Sequence, residues 1–214
     1  MLEIWGRRSA FNVQKALWTI GELELPHRHI EAGGSAGGLD APAFLAMNPH
    51  GRVPVLRDGE TTIWESHSII RYLSAKYGEG TLWAEDPGER SRADRFMDWA
   101  QTTLQADFMQ LFWSFYRMPE ARRDVAQVER AARNCCTHFA LLDRHLADHR
   151  FLAGDALTMG DIPAATSLYR YFEMGVQTPQ VPNVRRWYAE LAERAAYREH
   201  IMRPFEELFG REEF

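Results

Sequence analysis

The sequence is poor in the features that mark secreted, membrane and nucleic-acid-binding proteins. It has only two cysteines, the neighbours Cys135 and Cys136. Such a pair does not suggest a disulfide framework, so we expect a reducing, cytoplasmic location. No apolar run approaches the length of a membrane span, and no basic tract suggests nucleic-acid binding. The first residues lack the pattern of a secretory signal, and none is expected.

Several motifs of cofactor and redox chemistry are also missing. The eight histidines are scattered, with no His-x-x-x-His pair beside a third ligand, so no metal site is expected. The glycine-rich stretch 32–38 is not followed by Gly-Lys-Ser/Thr, which argues against a phosphate loop. The sequence has no Cys-x-x-Cys dithiol, so we do not expect a thioredoxin-like redox cycle.

What remains is the composition of an ordinary soluble globular protein. Hydrophobic residues make up 45% of the chain, charged residues 26%, and the net charge is −5. A chain of 214 residues can bury a substantial core in one or two domains.

The N-terminal third alternates between strand and helix patterns. Leu2–Trp5 and His27–Glu31 read as strands, and between them apolar residues recur at helical spacing from Val13 to Ile20. Strand, helix and strand within thirty residues predict a parallel, right-handed βαβ unit. A short helix is predicted for Asp40–Met47.

A hairpin and a third helix follow. Pro54 cannot donate a ladder hydrogen bond, so it is expected at the start of a strand or on an edge strand. Asp58-Gly59 predicts the hairpin turn, and Thr61–Trp64 the last strand. Ser66 is expected to cap the next helix, which ends at Gly78.

Everything after a Gly- and Pro-containing linker is helical in pattern. An aromatic-rich segment, Arg90–Tyr116, predicts the first long helix. Apolar residues from Val125 to Leu146 recur at alternating spacings of three and four, with Cys135 in the apolar stripe. Thr158–Asp161 resembles a capping box, and Pro182 opens a further helix.

The residues Arg52-Val53-Pro54, followed eleven positions later by Glu65-Ser66, resemble the glutathione-binding half of the cytosolic glutathione S-transferases. The resemblance covers essentially the whole chain and is closest to bacterial members of the serine, theta or beta type. It implies an α/β plus all-α fold. Residues 1–78 would form a thioredoxin-like glutathione-binding domain, 79–88 a linker, and 89–214 an all-helical domain for substrate binding and dimerisation.

The resemblance also implies a glutathione site. In the family the Pro of the Val-Pro unit is cis and the Val backbone binds the cysteinyl part of glutathione, here Val53 and Pro54. Glu65 and Ser66 would hold the γ-glutamyl end. His50 and Arg52 could reach the glycyl carboxylate, or could be exposed loop charges. Glutathione is then a co-substrate, and no metal is required.

The group that activates the thiol is expected in the loop between the first strand and the first helix, where the family uses Tyr, Ser or Cys. The match is Ser9, with Asn12 as a second donor. Either residue could instead only cap the helix. The loop departs from the better-known serine-type pattern, so the Arg7–Arg8 pair is a third alternative.

The family places the first long helix over the active site, so its inner face would line the pocket for the electrophile. Trp113, Tyr116 and Arg117 are the candidates, although most of this aromatic segment is expected in the core. Arg117 would favour a substrate that carries or develops negative charge. The tail Arg203–Phe214 could fold over the site or away from it.

Taken together, the resemblance implies a glutathione S-transferase, a cytoplasmic and homodimeric detoxification enzyme that conjugates glutathione to small hydrophobic electrophiles. The first alternative is a glutathione-dependent reductase, peroxidase or dehalogenase that uses the same site. The second is a non-catalytic interaction protein that keeps the fold, since fold alone does not establish function.

Overall fold

The fold is described from a computed structural model, which covers residues 1–212. Its N-terminal part is built on a four-stranded mixed sheet with strand order β2-β1-β3-β4. The strands are β1 (Leu2–Trp5), β2 (His27–Ile30), β3 (Val55–Asp58) and β4 (Thr61–Trp64). β1 and β2 are parallel, and β3 is antiparallel to both of its neighbours. The predicted parallel βαβ unit is therefore confirmed.

Three helices belong to the same part of the chain: α1 (Phe11–Glu22), α2 (Pro42–Leu45) and α3 (Ser66–Tyr77). A short 3-10 turn, Gly34–Ala36, follows β2. Apolar residues of α1 and α3 pack with Ile4 and Leu56 of the sheet in one buried cluster. This element order and sheet confirm the predicted thioredoxin-like architecture.

Pro54 lies immediately before an interior strand. Because β3 sits between β1 and β4, the edge-strand alternative for this proline is wrong and the strand-start alternative holds. The missing N–H costs no ladder hydrogen bond, since Pro54 precedes the first paired residue, Val55. The Val53–Pro54 peptide bond is cis, as the resemblance implied.

The rest of the described chain is helical, as predicted. The α-helices are α4 (Pro87–Trp99), α5 (Gln105–Leu111), α6 (Val125–Leu146), α7 (Asp161–Ala165), α8 (Leu168–Glu173), α9 (Pro182–Ala192) and α10 (Ala195–His200). Short 3-10 turns occur at Glu120–Arg122 and Glu206–Leu208. The predicted domain boundaries stay a prediction.

The aromatic-rich segment is not a regular α-helix throughout. Two π-helical turns, Ala100–Leu104 and Phe112–Arg117, lie on either side of α5. The second ends where the N–H of Met118 donates to the carbonyl of Trp113 at 2.8 Å. A π-turn rotates the side chains that follow it relative to a 3.6-residue period, so spacing alone could not predict which of them face inward.

One core joins the two parts. Phe11, Trp18 and Ile70 from the N-terminal part share a buried cluster with residues of the helical part. Trp18 meets the ring of Tyr197 edge-on, with centroids 4.8 Å apart. Cys135 is fully buried there, as its place in the apolar stripe predicted.

Candidate functional site

Four loops meet at one end of the sheet. β1 and β2 end there at Trp5 and Ile30, which are register partners. Trp5 also pairs with Val55, where β3 begins, and Val55 pairs with Trp64, where β4 ends. The register therefore brings together the loop 6–10, the loop after β2, the cis Val53–Pro54 bond and Glu65–Ser66.

Gly6 allows the loop after β1 to lie directly against Val53. Its φ is +145°, and a Cβ built there would come within 2.4 Å of a Val13 methyl and 3.1 Å of the Val53 Cβ. Any larger residue would push the loop away from this strand start. The close approach links the loop that carries Ser9 to the Val-Pro unit.

Neither Ser9 nor Asn12 caps α1. The N-cap residue is Ala10, and no side chain makes a capping hydrogen bond. The helix-cap alternative for both residues is therefore wrong. The Oδ1 of Asn12 is buried without a hydrogen-bond partner among the described residues. This amide oxygen only accepts hydrogen bonds, so it could pair with a donor that a ligand brings.

The turn that carries His50 and Arg52 is held by one side chain. Asn48 donates from Nδ2 to the carbonyl of Arg52 at 2.7 Å, and its Oδ1 accepts from the N–H of His50 at 3.1 Å. The side chains of His50 and Arg52 are exposed. The His50 ring meets Trp64 edge-on, with centroids 5.0 Å apart.

Glu65, rather than Ser66, is the N-cap of α3, so that detail of the prediction is wrong by one residue. Glu65 has a φ of +69° and an exposed side chain, whereas Ser66 is the first helical residue and is buried. The N–H of Ser66 is one of the helix-start donors that have no intrahelical partner. An anionic group could accept from it.

A small cleft opens beside Ser9 on the side of the helical part. This aromatic cleft has a volume of about 60 Å³ and is lined by Arg7, Ser9, Phe11, Met109, Phe112, Trp113, Arg117, Arg170 and Leu208. Two of the three residues predicted to contact the electrophile, Trp113 and Arg117, line this cleft, and their role stays a prediction. Tyr116 does not line it, because it is packed between the rings of Phe112, Phe205 and Phe209.

A larger cavity adjoins the cleft. This arginine cavity has a volume of about 540 Å³ and is lined by Arg7, Arg8, Ser9, Glu31, Gly33, Ser35, Ala36, Arg203, Pro204, Glu207, Leu208 and Arg211. The two cavities share Arg7, Ser9 and Leu208. None of the six predicted glutathione residues lines either one, although they lie at the same end of the sheet as Ser9.

The described part of the tail closes over the site. The N–H of Gly210 donates to the carbonyl of Tyr116 at 3.0 Å, and the Nε of Arg117 donates to the carbonyl of Arg211. Arg122 forms an ion pair with Glu212. The alternative in which the tail folds over the site is correct up to residue 212, and the last two residues of the predicted tail lie outside the described residues.

Arg170 is the main residue that sequence reasoning missed. Its Nη2 donates to the carbonyl of Ser9 at 2.7 Å and to Oε1 of Gln14 at 3.1 Å. Burial, together with the charges of Arg7 and Arg117, lowers the pKa of Arg170 to about 10. No local signal marks it, because α8 reaches Ser9 from 161 positions away.

The described residues 1–212 contain no group of three or more His, Cys, Asp or Glu side chains that could hold a metal ion. Among the same residues, no helix is long and apolar enough to cross a bilayer.

Comparison with known proteins decides the family. Residues 6–81 match the model of the glutathione S-transferase N-terminal domain, and residues 104–195 match that of the C-terminal domain. The glutathione S-transferase GstB of Escherichia coli strain K12 is 42% identical over 206 residues, which is 95% of this chain and 99% of GstB. The chain belongs to the glutathione S-transferase family. Membership confirms the predicted class of enzyme, a transferase that acts on glutathione.

Solved structures agree with this glutathione S-transferase fold. The theta-class glutathione S-transferase of Xanthomonas axonopodis pv. citri with glutathione bound has a TM-score of 0.90 and 42% identity, covering 95% of this chain and 98% of that one. Glutathione transferase F2 of Populus trichocarpa has a TM-score of 0.84 at 24% identity, covering 94% and 97%. The predicted α/β plus all-α architecture is confirmed.

Proposed function

We propose that this glutathione S-transferase conjugates the glutathione thiolate to small electrophiles, with the Ser9 hydroxyl donating to the sulfur anion and Asn12 assisting. One observation supports this most strongly. Ser9 lies at the end of the sheet where the loops proposed to bind glutathione meet, and it lines both the aromatic cleft and the arginine cavity. A thiol held there would face the cleft that admits the second substrate.

The energy required for thiol activation is within reach of these groups. A thiol of pKa ~8.5 is about 3% thiolate at pH 7, and a drop of ~2 units raises that fraction to roughly 75%. The drop corresponds to about 2.7 kcal/mol of preferential stabilisation of the anion. A hydroxyl donor and the N-terminus of α1 supply an amount of this size. The charges of Arg7 and Arg8 would add to it.

The bound thiolate then attacks an electrophilic carbon. The carbon–sulfur bond forms with the sulfur electron pair while the leaving group departs with the pair of the bond that breaks. The thiol proton has already passed to solvent. The apolar rings of the aromatic cleft favour a hydrophobic electrophile and exclude water from the reacting atoms.

The glutathione molecule itself would be held by backbone and side-chain groups at the end of the sheet. Val53 would bind the cysteinyl part through its backbone, with the cis Pro54 setting its direction. Glu65 would pair with the α-amino group, and Ser66 at the start of α3 would donate to the α-carboxylate. His50 and Arg52 would reach the glycyl carboxylate.

The wider assignments rest on family membership. We infer a cytoplasmic, homodimeric enzyme that serves in detoxification, in keeping with the low cysteine content. The alternatives on the same site are a glutathione-dependent reductase, peroxidase or dehalogenase. A pure scaffold is disfavoured, because it would need neither the Glu65-Ser66 pair nor a hydroxyl in the loop after β1.

The decisive experiment is glutathione titration by calorimetry, with an ultraviolet difference spectrum that reports bound thiolate. Ser66→Ala is expected to weaken binding about tenfold, the loss of one hydrogen bond to a charged group. Ser9→Ala is expected to bind glutathione but to lose most of the thiolate signal at pH 7.

Ser68→Ala is the matched control for Ser66→Ala, because Ser68 is exposed on the same helix. It should bind glutathione as the wild type does. Absence of binding by the wild type at millimolar glutathione would contradict the proposal, and the search would turn to protein partners of the helical part.

A further inference from the structure

One lysine is buried directly behind the start of α3. The Nζ of Lys15 on α1 lies 3.2 Å from Nε2 of His67, the residue that follows Ser66. Both side chains are buried, that of Lys15 completely. Burying an ammonium group is costly unless partners or an anion offset the cost. The thiol chemistry proposed above uses no lysine, so the position of Lys15 requires another explanation.

The groups that contact Lys15 bring no negative charge. Besides His67, its Nζ donates to Oε1 of Gln105 on α5 and lies 4.9 Å from the ring centre of Phe11. An ammonium group only donates, so Nε2 of His67 accepts from it while Lys15 is charged. Among residues 1–212, Glu65 is the carboxylate whose charge acts on Lys15, and the two side chains form no ion pair.

The start of α3 is itself positive. The N–H of Ile69 donates to the carbonyl of Glu65 at 2.9 Å, which is the first backbone hydrogen bond of the helix. The N–H groups of Ser66, His67 and Ser68 come before it and have no intrahelical partner. Such a helix start carries a partial charge of about +0.5. Lys15 therefore adds a full positive charge behind a partial one.

Glutathione would bring the missing anion in the binding mode proposed above. Its α-amino group would pair with Glu65, and its α-carboxylate would accept from the N–H of Ser66. That carboxylate then lies at the start of α3, one residue from the imidazole that contacts Lys15. Opposite charges separated by buried protein attract each other more strongly than they would in water.

The protonation of Lys15 is poised to respond to such an anion. Burial lowers the pKa of Lys15 to about 7, and the charge of Glu65 opposes this shift to a smaller extent. An anion nearby favours the charged form and raises the pKa again. His67 does not compete for the proton, because burial and the charges of Lys15 and Arg71 lower its pKa to about 2.

Other charged and titratable side chains on α1 and the helices near it bond to other partners. They are Glu22 of α1, Arg71 of α3, Asp94 and Asp98 of α4, Asp107 of α5, Asp161 of α7, Arg170 of α8 and His200 of α10. Within residues 1–212, none of this set forms an ion pair with Lys15.

We propose that Lys15 is a positioning residue of the glutathione site: its buried ammonium group, acting through His67 and the start of α3, helps to hold the α-carboxylate of the γ-glutamyl group. Glutathione then binds with uptake of a proton by Lys15, and the affinity falls as pH rises through the neutral range. This inference rests on the proposed glutathione site and specifies how pH regulates it.

The probe is S-methylglutathione, which keeps the γ-glutamyl group but has no thiol proton to release. It is titrated by calorimetry at pH 7.5 in two buffers that differ in ionisation enthalpy, because the difference in heat counts the protons taken up. We expect binding to raise the pKa of Lys15 by about one unit, a tenfold preference for the charged form. The wild type should then take up about half a proton, and its affinity should fall about sixfold from pH 6.5 to 8.5.

Two variants of Lys15 separate its charge from its titration. Lys15→Met should bind the probe about tenfold more weakly than the wild type at pH 6, with no proton uptake and no fall in affinity towards pH 8.5. Lys15→Arg keeps a charge that does not titrate in this range. It should bind tightly at every pH without proton uptake, a result that misfolding cannot produce.

Lys76→Met is the matched control, because Lys76 lies on the surface and bonds to Asp58. It should take up protons as the wild type does.

Three results would overturn the inference while leaving the transferase function intact. The first is binding of the probe to the wild type without proton uptake. The second is uptake that survives in Lys15→Met. The third is a loss of affinity in Lys15→Met by the same factor at pH 6 and pH 8.5, which would show a structural role only. If the wild type binds neither glutathione nor the probe at millimolar concentration, the proposed function itself fails, and the inference fails with it.

Discussion

Glu65 adopts a backbone conformation that residues with a side chain rarely take, with φ of +69° and ψ of 118°. Such a conformation costs of order 1–3 kcal/mol and persists only where the surroundings impose it. Here β4 has just ended and α3 must begin, so the strained residue is the junction between them. Its exposed carboxylate lies at the end of the sheet where glutathione is proposed to bind.

Replacing Glu65 with glycine should change the stability of the fold and the affinity for glutathione in opposite directions. Glu65→Gly should raise the free energy of unfolding by about 1 kcal/mol, because glycine has no Cβ and tolerates a positive φ better than glutamate does. It should also weaken glutathione binding at least about tenfold, through loss of the ion pair to the α-amino group. Urea unfolding and calorimetry measure the two effects.

Glu24→Gly is the matched control, since Glu24 is the other described non-glycine residue with positive φ, at +50°. It removes the same charge far from the proposed site. A gain in stability without any change in glutathione affinity is expected. If Glu65→Gly binds glutathione as tightly as the wild type does, the assigned role of Glu65 is wrong.

At the scale of elements, the segment that leads into α7 is organised by a single buried carboxylate. Asp161 accepts from the N–H of Leu152 at 2.8 Å, the N–H of Thr158 at 2.9 Å and the Thr158 hydroxyl at 3.1 Å. The hydrogen bond that the Thr158 N–H donates to the Asp161 carboxylate is one of the two bonds of the predicted capping box. Burial raises the pKa of Asp161 to about 6.

Asp161→Asn should destabilise the fold by about 2–4 kcal/mol at pH 8, where the carboxylate is ionised. The asparagine side chain would place an NH₂ donor where Asp161 has an oxygen, facing the N–H groups of Leu152 and Thr158, which are also donors. Asp155→Asn removes an exposed carboxylate from the same loop and should change stability by less than about 0.5 kcal/mol. Equal unfolding midpoints for the two variants would refute the role given to Asp161.

At the scale of the whole molecule, the two parts of the chain bury a lysine between them. The Nζ of Lys15 on α1 lies 3.2 Å from Nε2 of His67 on α3 and donates to Oε1 of Gln105 on α5. Lys15 is fully buried. Burial lowers the pKa of Lys15 to about 7, and the charge of Glu65 opposes this shift to a smaller extent. Burial also lowers the pKa of His67 well below its usual range.

The lowered pKa of Lys15 predicts how the free energy of unfolding varies with pH. Between pH 7 and 10.5 the unfolded chain holds the Lys15 proton while the folded chain has released it, so stability rises with pH in that window. The slope contributed by one group is at most about 1.4 kcal/mol per pH unit. Urea unfolding at pH 7, 8 and 9 should show this rise in the wild type and a flatter profile in Lys15→Met.

The variant Lys76→Met tests whether the rise in stability with pH depends on a buried lysine. Lys76, the only other lysine of the chain, lies on the surface, bonded to Asp58, and its pKa is raised rather than lowered. Its removal should leave the slope between pH 7 and 9 in place. A slope that survives in Lys15→Met would show that another group titrates in this window.

What the sequence determined by itself was local. Helical spacing, turn dipeptides and the Val-Pro and Glu-Ser pairs each lie within a few positions, so they predicted the element order, the family and Ser9. The tertiary structure decided the rest: the contact of Arg170 with Ser9, the tail residue Leu208 over the cleft, the packing that removes Tyr116 from it, and the burial of Lys15. These features depend on how distant helices pack, and no pattern along the chain encodes which side chains of two helices will meet.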